Sequence, residues 1–175
     1  MLIVFTGNGK GKTTAALGQA MRTLGRGKRV LVIQFIKGPW RSGEDYFEKE
    51  FMIHDSRFKI QKMGLGFVGI LGDKLPKEEH VKAAKKALEY FNSEMRQATR
   101  DMVILDEINV ATSLGLLTKE EVLDSVKDLP PEKFVIFTGR GAPQEFIDRA
   151  DLVTEMKEIK HPFNDGKMAK IAMEF

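Results

Sequence analysis

The densest chemistry in the chain lies in Thr6-Gly7-Asn8-Gly9-Lys10-Gly11-Lys12-Thr13-Thr14. Glycines at 7, 9 and 11 let a backbone curl so that successive N–H groups point inward at phosphate oxygens. Lys12 brings a cation, expected in an exposed loop, and Thr13 can place its hydroxyl on Mg²⁺. Such a loop needs a strand before it and a helix after it, because the helix N-terminus adds positive potential. Leu2-Ile3-Val4-Phe5 supplies the first, and the run containing Ala15, Ala16, Leu17 and Ala20 the second. The chemistry expected is the binding of a nucleotide or polyphosphate. The spacing departs from the usual motif: counting five residues back from Gly11 reaches Thr6, so the first glycine comes one residue late. A tighter cradle could hold a polyphosphate in a different register from ordinary phosphate-loop hydrolases.

The second constellation is Met102-Val103-Ile104-Leu105-Asp106-Glu107. An apolar strand ending in acids is the usual partner of a phosphate loop, because a carboxylate there holds Mg²⁺ directly or through water. Arg140, in Thr138-Gly139-Arg140-Gly141, follows another apolar run and so falls at a strand C-terminal end, where open α/β sheets bind ligands. The chain has no Cys, which excludes disulfides, thiolate-held metals and thiol nucleophiles. Its three His residues, at 54, 80 and 161, match no metal-ligand spacing. A formal net charge of +3 is too small to imply a nucleic-acid sleeve or a polybasic membrane anchor. No run approaches the roughly 20 apolar residues that cross a bilayer, and the N-terminus lacks a signal-peptide core, so a cytoplasmic protein is expected.

The elements that must position these groups are legible. Short β-branched runs at Leu2–Thr6, Arg29–Gln34, Met102–Asp106, Lys133–Thr138 and Asp151–Met156 read as strands buried on both faces of a parallel sheet. Phe58–Lys62 is a further strand and Gly43–Phe51 a short helix. From Lys77 to about Arg100, the residues Val81, Ala84, Leu88, Phe91 and Met95 make one apolar stripe, the mark of an amphipathic helix. Thr118-Lys119-Glu120-Glu121 is a capping box that starts another. Strand and helix alternate with no linker to divide them, which predicts one α/β domain over 1–175: a mostly parallel central sheet with helices on both faces. Met63–Pro76, with glycines at 64, 66, 69 and 72, is expected to be irregular and to serve as a substrate loop or a plain connection.

The run from Val4 to Ala16 resembles the ATP:corrinoid adenosyltransferases, and so do Gln34-Phe35-Ile36-Lys37-Gly38, Leu105-Asp106-Glu107, Thr138–Gly141, Ala150–Glu155 and Lys160-His161-Pro162-Phe163. These islands occur in order across nearly the whole chain. The resemblance implies a RecA-like P-loop NTPase fold, a homodimer, and transfer of the 5′-deoxyadenosyl group of ATP to the Co(I) of a reduced corrinoid, with triphosphate leaving. By position, Asn8, Gly9, Lys10, Gly11, Lys12, Thr13 and Thr14 match the ATP loop, and Thr13, Asp106 and Glu107 the Mg²⁺ region. Phe67 matches an aromatic of the corrinoid-side loop. Lys12 and Arg140 would stabilise charge building on the triphosphate, and a flavin-type reductase would be a transient partner. Gly69 stands where better-known members carry Trp, and this chain begins in the first strand where those members extend before it. Its only Trp, Trp40, is expected to be buried or at an interface, and His161 structural. Two other readings share Lys12, Thr13 and Asp106: a small-molecule kinase or ATPase, and a RecA-like nucleic-acid-binding module.

Overall fold

The computed structural model describes all residues except 52–55, 71, 98, 167, 169 and 171–175, so His54 lies outside the described residues. Six strands form one sheet: β1 (Leu2–Thr6), β2 (Val30–Gln34), β3 (Phe58–Lys62), β4 (Met102–Asp106), β5 (Phe134–Thr138) and β6 (Leu152–Glu155). Their order is β3-β2-β4-β5-β1-β6 and every pairing is parallel. All six C-terminal ends therefore lie on one rim. Strand spacing of about 4.8 Å puts β1 and β3, four steps apart, about 19 Å from each other along it.

Alternation of side chains divides the core between the two faces. Ile3, Phe5, Val32 and Ile104 pack on one side with Ala16 and Ala20 of α1 (Lys12–Leu24). Lys12, Ala16 and Ala20 share one stripe of α1, and the two small alanines let that helix lie close against β1, β4 and β5. Leu2, Val4, Ile33, Leu105 and Phe137 point to the other side. There they meet α3 (Lys77–Gln97), α4 (Ile108–Ser113), α5 (Lys119–Ser125) and α6 (Gln144–Arg149), so helices cover both faces as the periodicity predicts. The helix α2 (Gly43–Phe51) lies against β3, with Phe47 edge-on to Phe58 at 6.1 Å. The capping box forms, Thr118 and Glu121 each satisfying the other's backbone N–H.

One expectation needs correction, and two short helices join the expected elements. The β6 strand is exposed at all four positions rather than buried on both faces, because it is the sheet edge and pairs with β1 alone. The short helices α4 and α6 carry no full apolar repeat and were not expected. The described residues of the 63–76 stretch form no regular element, in line with its glycines. Among the described residues, no helix is long and apolar enough to cross a membrane.

The α6 helix owes its place to Phe146, which is fully buried and meets Phe137 of β5 edge-on at 5.3 Å. Phe146→Ala is expected to cost about 3–5 kcal/mol and to lower Tm by about 10 °C in thermal unfolding.

Candidate functional site

The phosphate loop owes its shape to two different needs for glycine. Gly7 and Gly9 lie against the chain leaving β6: a Cβ on Gly9 would come within 2.8 Å of the Met156 and Lys157 backbone, and Gly9 N–H donates to Met156 O at 2.7 Å. Gly11 has open space around it but takes φ +116, a conformation side chains disfavour, as the chain turns into α1. The Lys12 ammonium lies inside the curl and donates to Gly7 O at 2.8 Å and Gly9 O at 2.7 Å. Lys12 is thus 8% exposed rather than in an open loop, because it forms the first turn of a helix packed on the sheet. Burial, with Arg140 and Lys10 nearby, holds its pKa below the ordinary lysine value against the opposing pull of Glu107. Asn8, Lys10 and Thr14 are exposed around this core, and Thr13 is half-buried.

At the end of β4, Asp106 is fully buried. Its Oδ1 accepts the hydroxyl of Thr13 at 2.8 Å and that of Thr138 at 2.8 Å. Thr138 in turn accepts Glu107 N–H at 3.0 Å. The other carboxylate oxygen faces the Lys37 ammonium at 3.6 Å, and Lys37 also pairs with Glu44 of α2. Burial disfavours the Lys37 charge, but Asp106 and Glu44 outweigh it and raise its pKa. Next to this pair, Gln34 is buried with its Oε1 unpartnered among the described residues.

Glu107 has φ +63, the one described residue other than glycine with a positive φ. Such strain, about 1–3 kcal/mol, persists where the surroundings over-determine it. Here β4 turns straight into α4, and Gly139 packs against the Glu107 side chain: a Cβ there would meet Oε2 at 3.0 Å. Burial and the neighbouring Asp106 push the Glu107 pKa up to about 7, against Lys12, Lys37 and Arg140. Arg140 is exposed and close enough to depress the pKa of both Lys12 and Glu107.

The structure therefore brings Lys12, Thr13, Asp106, Glu107 and Arg140 together around β1, β4 and β5. Phe67 sits apart, on the loop after β3, and is 45% exposed. Beside it, Trp40 is 63% exposed, so its expected burial is not found; the rings stand 5.7 Å apart at 37°. The two loops are laced together by Gly66 N–H to Ile36 O at 2.9 Å and by Lys62 donating to Trp40 O. Sequence reasoning missed Thr138, Lys37 and Gln34 as site residues. The signal was available, since the first and last of them end parallel strands and Lys37 follows one closely.

The donors around Asp106 and Glu107 are hard oxygens, and two adjacent buried carboxyl groups disfavour each other's charge, a cost that a divalent cation would offset. Without one, the fold binds the Glu107 proton more tightly than the unfolded chain, where the value is near 4.5. Stability should then fall as pH rises from 4.5 to about 7. Glu107→Gln keeps the size and backbone strain and removes the charge. We expect it to melt above the parent at pH 8 and level with it near pH 4.5, read by metal-free thermal unfolding.

Comparison with known proteins adds to this geometry. Residues 1–175 match the family described as ATP:corrinoid adenosyltransferase BtuR/CobO/CobP. The corrinoid adenosyltransferase of Escherichia coli (strain K12) is 37% identical over 175 residues, covering 100% of this chain and 85% of that protein. The corrinoid adenosyltransferase CobA of Salmonella typhimurium (strain LT2) is 36% identical with the same coverage. The corrinoid adenosyltransferase of a Sinorhizobium species is 38% identical over 177 residues, 100% of this chain and 80% of that one. With a full-length match, relatives at this identity, and a phosphate loop facing a buried acid pair, the chain belongs to the ATP:corrinoid adenosyltransferase family.

Proposed function

We propose that this chain moves the 5′-deoxyadenosyl group of ATP onto the cobalt of a reduced corrinoid. The observation that carries the reading is the rim of the sheet. A cationic phosphate loop stands at β1, and an exposed aromatic pair stands on the loops that leave β2 and β3, at the other side of the sheet. That span suits two large substrates meeting end to end, with the phosphates of ATP at one end and a flat macrocycle at the other.

The step balances without a protein nucleophile. Co(I) gives an electron pair to C5′, a Co–C bond forms, the C5′–O bond breaks, and its electrons leave with triphosphate. The substrate brings the reactivity, so the protein's task is orientation and the stabilisation of charge on the leaving group. In this reading Lys12 turns from the Gly7 and Gly9 carbonyls to phosphate oxygens, joined by loop N–H groups and by exposed Arg140. Asn8, Gly9, Lys10, Gly11 and Thr14 shape the rest of the cradle. Gly9 contributes its fold more than its N–H, which is already given to Met156.

Thr13, Glu107 and Asp106 would hold Mg²⁺, which when bound supplies positive charge to the triphosphate. Phe67 and Trp40 would take the corrinoid by its apolar face. A homodimer, a cytoplasmic location and a flavin-type reductase that delivers Co(I) belong to the same proposal and rest on family membership. The kinase or ATPase reading and the nucleic-acid reading lose ground to that full-length membership and to the weak net charge.

Anaerobic incubation with ATP, Mg²⁺ and chemically reduced cobalamin tests the reading. A light-sensitive adenosyl-corrinoid and inorganic triphosphate are expected; ADP and phosphate with no cobalt–carbon bond would contradict it. Lys12→Ala should lower turnover about 100-fold or more and keep the far-UV circular dichroism of the parent, because water can take the two freed carbonyls.

A further inference from the structure

The described residues of the loop that carries Phe67 form no helix or strand, yet one carboxylate ties its far half together. Asp73 Oδ2 accepts Gly69 N–H at 2.8 Å and meets His80 Nε2 at 3.0 Å, while Oδ1 accepts Leu75 N–H at 3.0 Å. The Gly69 and Leu75 backbone donors, with His80, lower the Asp73 pKa against the opposing effect of burial. Gly69 takes φ +69, and a Cβ there would meet nothing within 4 Å. Conformation, not crowding, thus asks for glycine where the chain turns to offer its N–H to the carboxylate.

His80 anchors the clasp to the body of the protein. It lies in the first turn of α3, is 3% exposed, and belongs to the stripe that continues through Ala84, Ala87, Leu88 and Phe91. The near half of the loop has its own hold, Gly64 N–H on Gln34 O at 3.0 Å and Gly66 N–H on Ile36 O at 2.9 Å. Phe67 therefore sits between two fixed points, one on the exit of β2 and one on α3.

We propose that Asp73 and His80 are positioning residues for the corrinoid end of the site: they keep Phe67 set before substrate arrives and touch no substrate themselves. This rests on the proposed function, which gives Phe67 to the corrinoid. A loop freed from the clasp would have to be ordered during binding, and that entropy comes out of corrinoid affinity. The phosphate loop follows β1, four strands from β3, and shares none of these bonds, so ATP binding is left alone.

The full-length parent, Asp73→Ala, His80→Phe and His80→Gln are compared in two ways. Amide hydrogen exchange without substrates should quicken at Gly69 and Leu75 in Asp73→Ala, while residues of α1 keep parental protection. Steady-state kinetics should show the corrinoid KM raised about tenfold in Asp73→Ala and His80→Phe, with the ATP KM within about twofold of the parent. His80→Gln, whose amide can still donate to Asp73, should restore most of the loss. Parental exchange at Gly69 and Leu75, an unchanged corrinoid KM, or ATP and corrinoid KM rising together would each overturn the proposal. A parent that makes no adenosyl-corrinoid overturns the function on which it rests, and that is seen before any variant is compared.

Discussion

The site depends on one buried carboxylate. Asp106 is taken wholly out of water, and an isolated charge in that position would be prohibitively costly. It is tolerated because Thr13 and Thr138 both donate hydroxyls to one of its oxygens while Lys37 faces the other. Those three partners come from α1, from β5 and from the exit of β2. A single acid therefore fixes the phosphate loop, the middle of the sheet and the aromatic loop relative to one another. The strand order serves this arrangement: β5 stands between β1 and β4, and its last residue, Thr138, donates to the same carboxylate oxygen as Thr13.

Around that anchor the charges are set for a guest. Lys12, Lys37 and Arg140 surround Asp106 and Glu107, and the pKa shifts of Lys12 and Glu107 show that burial disfavours both charges. Glu107 stands in a strained backbone conformation that β4, α4 and the packing of Gly139 impose. In the proposed function, a polyphosphate with its cation would offset the buried charges. Strain and desolvation are thus built into the free protein at the place where the proposed function puts the triphosphate, which would be preorganisation for a leaving group.

Much of this was legible in the residues, for reasons that are physical and local. The strands announced themselves because a parallel sheet is buried on both faces and so reads as unbroken β-branched runs; β6 broke the rule because an edge strand keeps the composition without the cover. The phosphate loop and the Asp106-Glu107 pair are contiguous motifs, and their chemistry follows from adjacency. Thr138, Lys37 and Gln34 acquire meaning only from the strand order, which brings segments from across the chain to one carboxylate. The Asp73–His80 clasp escaped for a similar reason, since nothing in seven residues of separation says that a histidine at the start of a helix faces back toward a loop. Trp40 is not buried within the chain, although a lone large aromatic usually is: it leans on Phe67 at an open rim. Lys12 was misjudged in the opposite sense, its motif suggesting an open loop while helix packing encloses it.

In the proposed reaction the phosphate loop holds the polyphosphate as a leaving group, and attack falls on carbon, not phosphorus. ATP carrying ¹⁸O at the oxygen that joins C5′ to the α-phosphorus tests it directly, with the products of one anaerobic turnover read by mass spectrometry. Attack at C5′ sends the label out with inorganic triphosphate and leaves none in the adenosyl-corrinoid. Label retained on the nucleoside, or appearing in ADP or AMP, would mean that a phosphorus–oxygen bond was cut, and would contradict it.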